Sequence, residues 1–287
     1  MSREFRTALP FLLPLVFVVS VFMLFPVIGT FWMSLWQDVS FLPRKFVGLS
    51  HYLRLFRDTG FWQSAAFTLL FTFVSVAVET MLGLFMALLV NEHFRFRGLM
   101  RAVMLLPWAI PSVIGARIWQ LIYRYDYGLA NYVLQKISGK VVNWLGSSTG
   151  AFLSLIIADV WRTTPFVAII LLAGLQVIPD EIYRQAKVDG ATLFQRFFRI
   201  TLPLLKPILI VAVLFRTIDA LRVFDIIYVI TGGGPGGATT SLSLYGYKYF
   251  LLGDFGYGSA ISISLFLLAL FIALLYIKTG RFKEAVL

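Results

Sequence analysis

Residues 183–207 read YRQAKVDGATLFQRFFRITLPLLKP and lie between two long apolar runs. Two acidic residues precede this stretch and favour a helix over residues 181–189, because carboxylates stabilise the positive end of a helix. Gly190 adopts left-handed geometry at little cost and predicts the end of that helix. Residues 191–200 predict a second helix, rich in phenylalanine and arginine, which Pro203 is expected to stop. The stretch therefore predicts a short basic helix–turn–helix.

The composition of the whole chain is that of a membrane protein. Of its 287 residues, 59% are hydrophobic and 14% are charged, whereas a soluble domain has about half apolar and about a quarter charged residues. The chain has no cysteine, which excludes disulfides and thiolate chemistry. Its two histidines are far apart in sequence, so no metal site is expected. The net charge of +11 is attributed to basic loops beside a membrane, and nucleic-acid binding is not expected.

Apolar runs long enough to cross a bilayer predict six transmembrane helices, since one span needs about 20 residues. The prolines inside these runs are compatible with spanning helices when neighbouring groups satisfy the freed backbone. The first run is too long for a cleaved signal peptide. We therefore predict an all-α, polytopic membrane protein that forms a single domain over residues 1–287. The six predicted spans are 8–36, 63–91, 101–124, 150–178, 204–231 and 257–278.

The basic residues are distributed unevenly between the two sets of loops. One set, which includes both termini and the basic stretch, carries thirteen lysines and arginines, and the other carries eight. Cytoplasmic loops carry such an excess, so both termini and the basic stretch are predicted to be cytoplasmic. The terminal residues that support this orientation are Arg3, Arg6, Lys278, Arg281 and Lys283.

Eight charged residues fall in the interior of the predicted spans, away from their ends, where each is costly unless it faces a partner or a wet cavity. Three pairs are spaced three apart, so that each pair can interact on one helical face: Asp159–Arg162, Arg216–Asp219 and Arg222–Asp225. Glu79 and Arg117 have no evident partner in their own spans. Two interpretations remain open, namely mutual neutralisation within the membrane and hydrogen bonding to a polar substrate.

Four stretches together resemble the permeases of bacterial and archaeal ABC importers. The basic stretch resembles their cytoplasmic coupling loop. The pattern of that loop is E-A-A, then three residues followed by Gly, and later Ile-x-Leu-Pro. In this chain Arg184 and Gln185 replace the Glu and the first Ala of the pattern. The positions that match this pattern are Ala186, Asp189, Gly190, Ala191, Phe198, Ile200, Leu202 and Pro203. The other three stretches resemble the first permease of maltose, trehalose and glycerol-phosphate importers: LLPWAIPSVIGARIW at 105–119, YDYGLANYVL at 125–134 and YVITGGGPGGATTSLSLYGY at 228–247.

The resemblance implies half of a heterodimeric pore in a prokaryotic inner membrane. Its partners would be a second permease, two ATPase subunits and an extracytoplasmic sugar-binding protein, in addition to the sugar and membrane lipid. The chain itself would be no enzyme and hold no cofactor, with ATP and Mg bound by the ATPase. The sequence agrees, since it lacks a G-x-x-x-x-G-K-[ST] phosphate loop. The ATPase-coupling residues implied are Arg184, Ala186, Asp189, Gly190, Ala191 and Pro203.

The resemblance also implies where a sugar would bind. Ungapped comparison with maltose-type permeases places sugar-contacting positions in the fourth and fifth spans, at Asp159, Arg162, Thr163, Phe166, Arg216, Asp219, Ala220 and Val223. The expected function is ATP-driven uptake of a disaccharide such as trehalose or maltose. An importer for glycerol phosphate and a stand-alone secondary sugar carrier remain alternatives. The secondary carrier is disfavoured, because an arginine three residues from each carboxylate of these spans opposes proton cycling.

Overall fold

The computed structural model describes residues 3–279, which leaves Arg281 and Lys283 of the predicted cytoplasmic terminus outside the described residues. The described chain is mostly helical, as predicted. A short antiparallel ladder pairs β1 (Trp36–Gln37) with β2 (Lys45–Phe46). The helices are α1 (Arg3–Val19), α2 (Phe25–Ser34), α3 (Ser50–Arg57), α4 (Thr59–Asn91), α5 (Arg97–Ala109), α6 (Ser112–Ile122), α7 (Leu129–Ser138), α8 (Ser148–Val177), α9 (Asp180–Val188), α10 (Leu193–Arg196), α11 (Leu202–Leu221), α12 (Asp225–Ile230), α13 (Leu242–Leu251) and α14 (Phe255–Thr279).

Five helical segments of the described chain are long and apolar enough to cross a membrane: Pro10–Ser34, Thr59–Asn91, Ser148–Val177, Leu193–Leu221 and Phe255–Lys278. A sixth candidate is the pair α5 and α6, which meet at 88°. The break follows from Pro111, because a proline disfavours helical geometry in the residue before it, and Ile110 is extended with ψ at 130°. The predicted span 101–124 is therefore a sharply broken span or a re-entrant loop.

The predicted stop at Pro203 is wrong. A π-helical turn, Phe197–Thr201, joins α10 to α11, so that one helix continues from Leu193 to Leu221. Pro203 is the second residue of α11 and follows this turn directly, where the hydrogen-bond ladder is already altered and a missing amide is tolerated. The wider turn also changes the hydrogen-bond ladder, since the amide of Leu202 donates to the carbonyl of Phe197, five residues earlier. The second helix of the basic stretch is thus the start of the next span.

The described residues pack as two compact units. One consists of the chain up to Trp62 together with Tyr245–Leu267, and the other of Gln63–Leu244 together with the residues from Leu268 onward. In the second unit, α8 packs against α5, α6, α11 and α12. These packed helices carry the charged residues predicted within the fourth and fifth spans.

Two glycines allow close helix packing in the second unit. A Cβ atom on Gly83 of α4 would lie 2.8 Å from Val167 of α8. A Cβ atom on Gly174 of α8 would lie 2.7 Å from Ile208 of α11. Small residues permit such approaches between membrane helices, where van der Waals contact drives association. The two glycines therefore bring α4 and α11 against α8.

In the first unit, Asp58 caps the start of α4. Its Oδ1 accepts from the amides of Gly60 at 2.9 Å and Phe61 at 3.3 Å, and its Oδ2 accepts from the hydroxyls of Tyr245 at 2.8 Å and Tyr257 at 2.5 Å. Burial by itself would raise the pKa of Asp58, but these four donors favour the ionised form and hold the pKa below its ordinary value. The carboxylate thus ties α4 to the segment 245–257.

We expect Asp58→Asn to lower thermal stability at neutral pH by about 1 kcal/mol, because the amide loses the charge-assisted bonds. A carboxylate with a lowered pKa stabilises the fold above its unfolded pKa, and this contribution is lost as the pH falls through the folded value. The difference between wild type and variant should therefore shrink below about pH 4. Unfolding midpoints in detergent at pH 7 and pH 3.5 measure it. Asp126→Asn, in an exposed loop, is the control, and a difference independent of pH would contradict the assignment.

Candidate substrate site and coupling segment

A buried ionic cluster joins three helices of the second unit. Arg216 of α11 is 2% exposed, Glu79 of α4 is fully buried and Asp159 of α8 is 4% exposed. The Nη2 of Arg216 donates to Asp159 Oδ2 at 2.5 Å and to Glu79 Oε1 at 3.0 Å, while its Nε donates to Glu79 Oε2. Its Nη1 donates to Oδ2 of Asp219 at 3.0 Å. Every nitrogen of this guanidinium is therefore bonded to a carboxylate.

Two hydroxyls complete the cluster. Ser75 Oγ lies 2.7 Å from Glu79 Oε1 and 2.6 Å from Asp159 Oδ2. Thr163 Oγ1 lies 2.6 Å from Glu79 Oε1. The close packing of Gly83 on α8 occurs one helical turn from Glu79, which places these short side chains within reach of each other. Charges at such depth are tolerated because they pair with one another and with neighbouring donors.

The structure bears out one of the three predicted ion pairs, Arg216–Asp219. The predicted Asp159–Arg162 pair is wrong, because Asp159 pairs with Arg216 across the helix interface. Arg162 instead has a buried Nε without a hydrogen-bond partner among residues 3–279.

The predicted Arg222–Asp225 pair is also wrong. Arg222 follows the end of α11, so the helical spacing that the prediction assumed is interrupted there, and it contacts Asp219 at 3.3 Å. Asp225 accepts a hydrogen bond from Ser112. Of the two residues without an evident partner, Arg117 donates to Gln120 within its own helix.

The other predicted sugar-contacting residues lie around this cluster at different depths. Thr163 and Ala220 are buried, whereas Arg162, Phe166 and Val223 are half-buried. The ring of Phe166 stacks on Trp108 with centroids 5.8 Å apart. The side chain of Asp219 is 50% exposed. In this conformation Asp219, Arg222 and the Phe166–Trp108 pair offer more accessible polar and aromatic surface than Arg216 does.

The coupling segment, residues 180–203, has the predicted geometry at its turn residue, Gly190. Its φ is +76°, in the left-handed region. The amide of Gly190 donates to the carbonyl of Lys187 at 3.1 Å, and the amide of Ala191 donates to the carbonyl of Ala186 at 2.9 Å. These two bonds form a Schellman motif, the usual glycine-terminated helix end. Arg184, which replaces the Glu of the resembled pattern, is exposed and paired with Glu181 at 2.5 Å.

A capping box begins the helix after this turn. Thr192 Oγ1 accepts from the amide of Gln195 at 3.3 Å, and Gln195 Oε1 accepts from the amide of Thr192 at 2.8 Å. The T-x-x-Q spacing is a recognised start signal that the sequence interpretation missed. Helix end, turn and helix start therefore each have their own hydrogen bonds, which fixes the segment between α8 and the continuous helix Leu193–Leu221.

Comparison with known proteins supports the importer resemblance. Residues 79–279 match the family described as binding-protein-dependent transport system inner membrane component. The trehalose/maltose transport system permease protein MalF of Thermococcus litoralis is 56% identical over 283 residues, covering 98% of this chain and 96% of that protein. The sulfoquinovosyl glycerol transport system permease protein SmoG of Agrobacterium fabrum is 39% identical over 278 residues, covering 95% and 90%.

A solved structure has the same fold. A bacterial alginate ABC transporter in complex with an alginate pentasaccharide-bound periplasmic protein contains a chain that aligns with a TM-score of 0.84 at 26% identity, covering 97% of this chain and 95% of that one. The chain therefore belongs to the family of binding-protein-dependent transport inner membrane components: it is a multi-pass permease subunit of an ABC importer and not an enzyme.

Proposed function

We propose that this permease imports a disaccharide of the trehalose or maltose kind. The observation that carries the proposal is its 56% identity, over almost its entire length, to a trehalose/maltose permease. We further propose that it pairs with a second permease, two ATPase subunits and an extracytoplasmic sugar-binding protein. The periplasmic protein bound to the alginate transporter supports the last of these. In this arrangement both termini and the coupling segment face the cytoplasm.

We propose that α9 links the ATPase to the substrate site. In our proposal the ATPase holds α9, which is separated from α8 by only Ile178 and Pro179 and from the next helix by the Gly190 turn. Closure of the two ATPase subunits would move α9 together with both attached helices. These helices carry Asp159 and Arg216, so the movement reaches the site from two sides. Conformational switches in proteins usually move packed helices between two discrete arrangements in this way.

A neutral sugar suits the charges of the site. Around Arg216 lie the carboxylates of Glu79, Asp159 and Asp219, and Arg222 pairs with Asp219 from the exposed side. Sugar hydroxyls donate strong hydrogen bonds to an accessible carboxylate such as Asp219, and an aromatic pair packs against the apolar face of a sugar ring. The site holds arginines as well as carboxylates, so the preference for a neutral disaccharide over glycerol phosphate rests on the similarity to the trehalose/maltose permease.

We expect the complex, reconstituted in lipid with its ATPase, partner permease and binding protein, to hydrolyse ATP faster with trehalose or maltose. Hydrolysis is measured with each sugar, with and without the binding protein, and glycerol 3-phosphate is the comparison substrate. Stimulation by glycerol 3-phosphate alone would overturn the substrate class. Sugar movement down a gradient by the isolated chain without ATP would overturn the importer and favour a secondary carrier.

A further inference from the structure

A cavity of about 950 Å³ lies beside the coupling segment, within the second unit. Its wall combines the ends of α4 and α8 and the start of α5 with residues of α9 and α10. Four cationic side chains line it: Arg97 and Arg101 from α5, Lys187 from α9 and Arg196 from α10. The cavity is separate from the ionic cluster around Arg216, none of whose members lines it.

The charges in this wall are unbalanced. Two acidic residues, Glu92 and Asp180, also line the cavity, against the four cations. Over residues 3–279, none of these six side chains takes part in an ion pair. The cavity therefore has a net positive charge that the surrounding protein does not neutralise, and it attracts anions.

The arginines are partly held in place. Nη2 and Nε of Arg101 donate to the carbonyl of Val90, at 2.9 and 3.3 Å, which fixes Arg101 against the end of α4. Arg97 and Arg196 are half-buried. The Nε of Arg196 is shielded from solvent and has no hydrogen-bond partner among the described residues. A buried donor without a partner is costly, and a shift of the Arg196 side chain towards an anion in the cavity would give this nitrogen an acceptor.

We propose that this cavity binds a phosphate-bearing anion. The guanidinium groups of arginine bind phosphate oxygens in pairs, and Lys187 adds a point charge. A phosphate group also offers more acceptor oxygens than a carboxylate, so it can meet several of these donors at once. The group can belong to a soluble phosphate or to the headgroup of an anionic phospholipid. It would bridge the start of α5 to both helices of the coupling segment. Its effect on transport rests on the coupling role proposed above, whereas its binding does not.

The test uses the assembled importer, free of nucleotide, in nanodiscs. In phosphatidylcholine nanodiscs, labelled inorganic phosphate is titrated by equilibrium dialysis. In nanodiscs that also contain phosphatidylglycerol, retained lipid is counted by native mass spectrometry. Binding in the first arm identifies a soluble ligand, and retention in the second arm alone identifies a lipid headgroup. Either result supports the site if it depends on the cavity arginines.

The variants separate this site from phosphate bound elsewhere, including on the ATPase. We expect the double variant Arg97→Gln/Arg196→Gln to weaken binding by at least about tenfold, through the loss of paired charge-assisted bonds. Arg196→Lys should keep part of the binding, which shows that the segment still folds. Arg199→Gln changes an exposed arginine of the same segment that does not line the cavity, and should leave binding unchanged. Equal binding by all variants, or binding in neither arm, would overturn the proposal.

Discussion

Arg216→Met is expected to lower the free energy of unfolding by about 3–5 kcal/mol, which is the usual cost of removing one partner from a buried ion pair. The substitution leaves Glu79 and Asp159 buried between three helices without their cation. Methionine keeps much of the arginine's volume, so the effect reports charge more than packing. The midpoint of thermal unfolding in detergent measures it.

Two further variants isolate the cause. Arg222→Met removes an exposed arginine that contacts the same Asp219, and should cost less than about 1 kcal/mol, as exposed pairs do. The double variant Glu79→Gln/Arg216→Met removes one of the stranded charges, so it should be more stable than Arg216→Met alone. If the double variant is the less stable, the cluster is not held by the pairing that the structure shows.

Gly190→Val is expected to uncouple ATP hydrolysis from sugar uptake. Gly190 has a φ of +76°, and apart from its two chain neighbours no described residue has an atom within 4 Å of the position that a Cβ would occupy. The effect therefore comes from the backbone and not from a clash. Left-handed geometry costs a residue with a side chain about 1–2 kcal/mol, and more for a β-branched one. A cost of about 1–2 kcal/mol lowers the equilibrium population of the native turn by about 5–30-fold. The number of sugars taken up per ATP hydrolysed should fall accordingly.

Gly190→Asn is the matched control, because asparagine tolerates left-handed geometry. It should retain most of the coupling while adding a side chain of similar size at the same exposed position. Hydrolysis and uptake are measured in the same reconstituted vesicles, so that a loss of folded protein lowers both together. Normal uptake per ATP in the valine variant would show that the turn does not transmit the movement.

The sequence predicted features that depend on neighbouring residues. The apolar runs predicted where the candidate spans lie, except that the fifth helix runs from Leu193 to Leu221 and not over 204–231. The helix end at Gly190 follows from the conformational freedom of one residue. The sequence failed where the outcome depends on distant groups. The partner of Glu79 lies 137 residues away on another helix, so the spacing within a span could not reveal it. The rule that proline stops a helix also failed at Pro203, because a wider turn before it accommodates the ring.

The continuous helix Leu193–Leu221 contains 29 residues, which at 1.5 Å per residue makes a rod of about 43 Å. The hydrocarbon core of a bilayer is only about 30 Å thick, so the rod is longer than the lipid it crosses. Arg216 lies about 35 Å along it from Leu193. In the importer proposed above, a displacement at the basic end would reach the buried carboxylates through one unbroken helix. The two ends of the rod are therefore expected to move in the same step, without a relay of intermediate rearrangements.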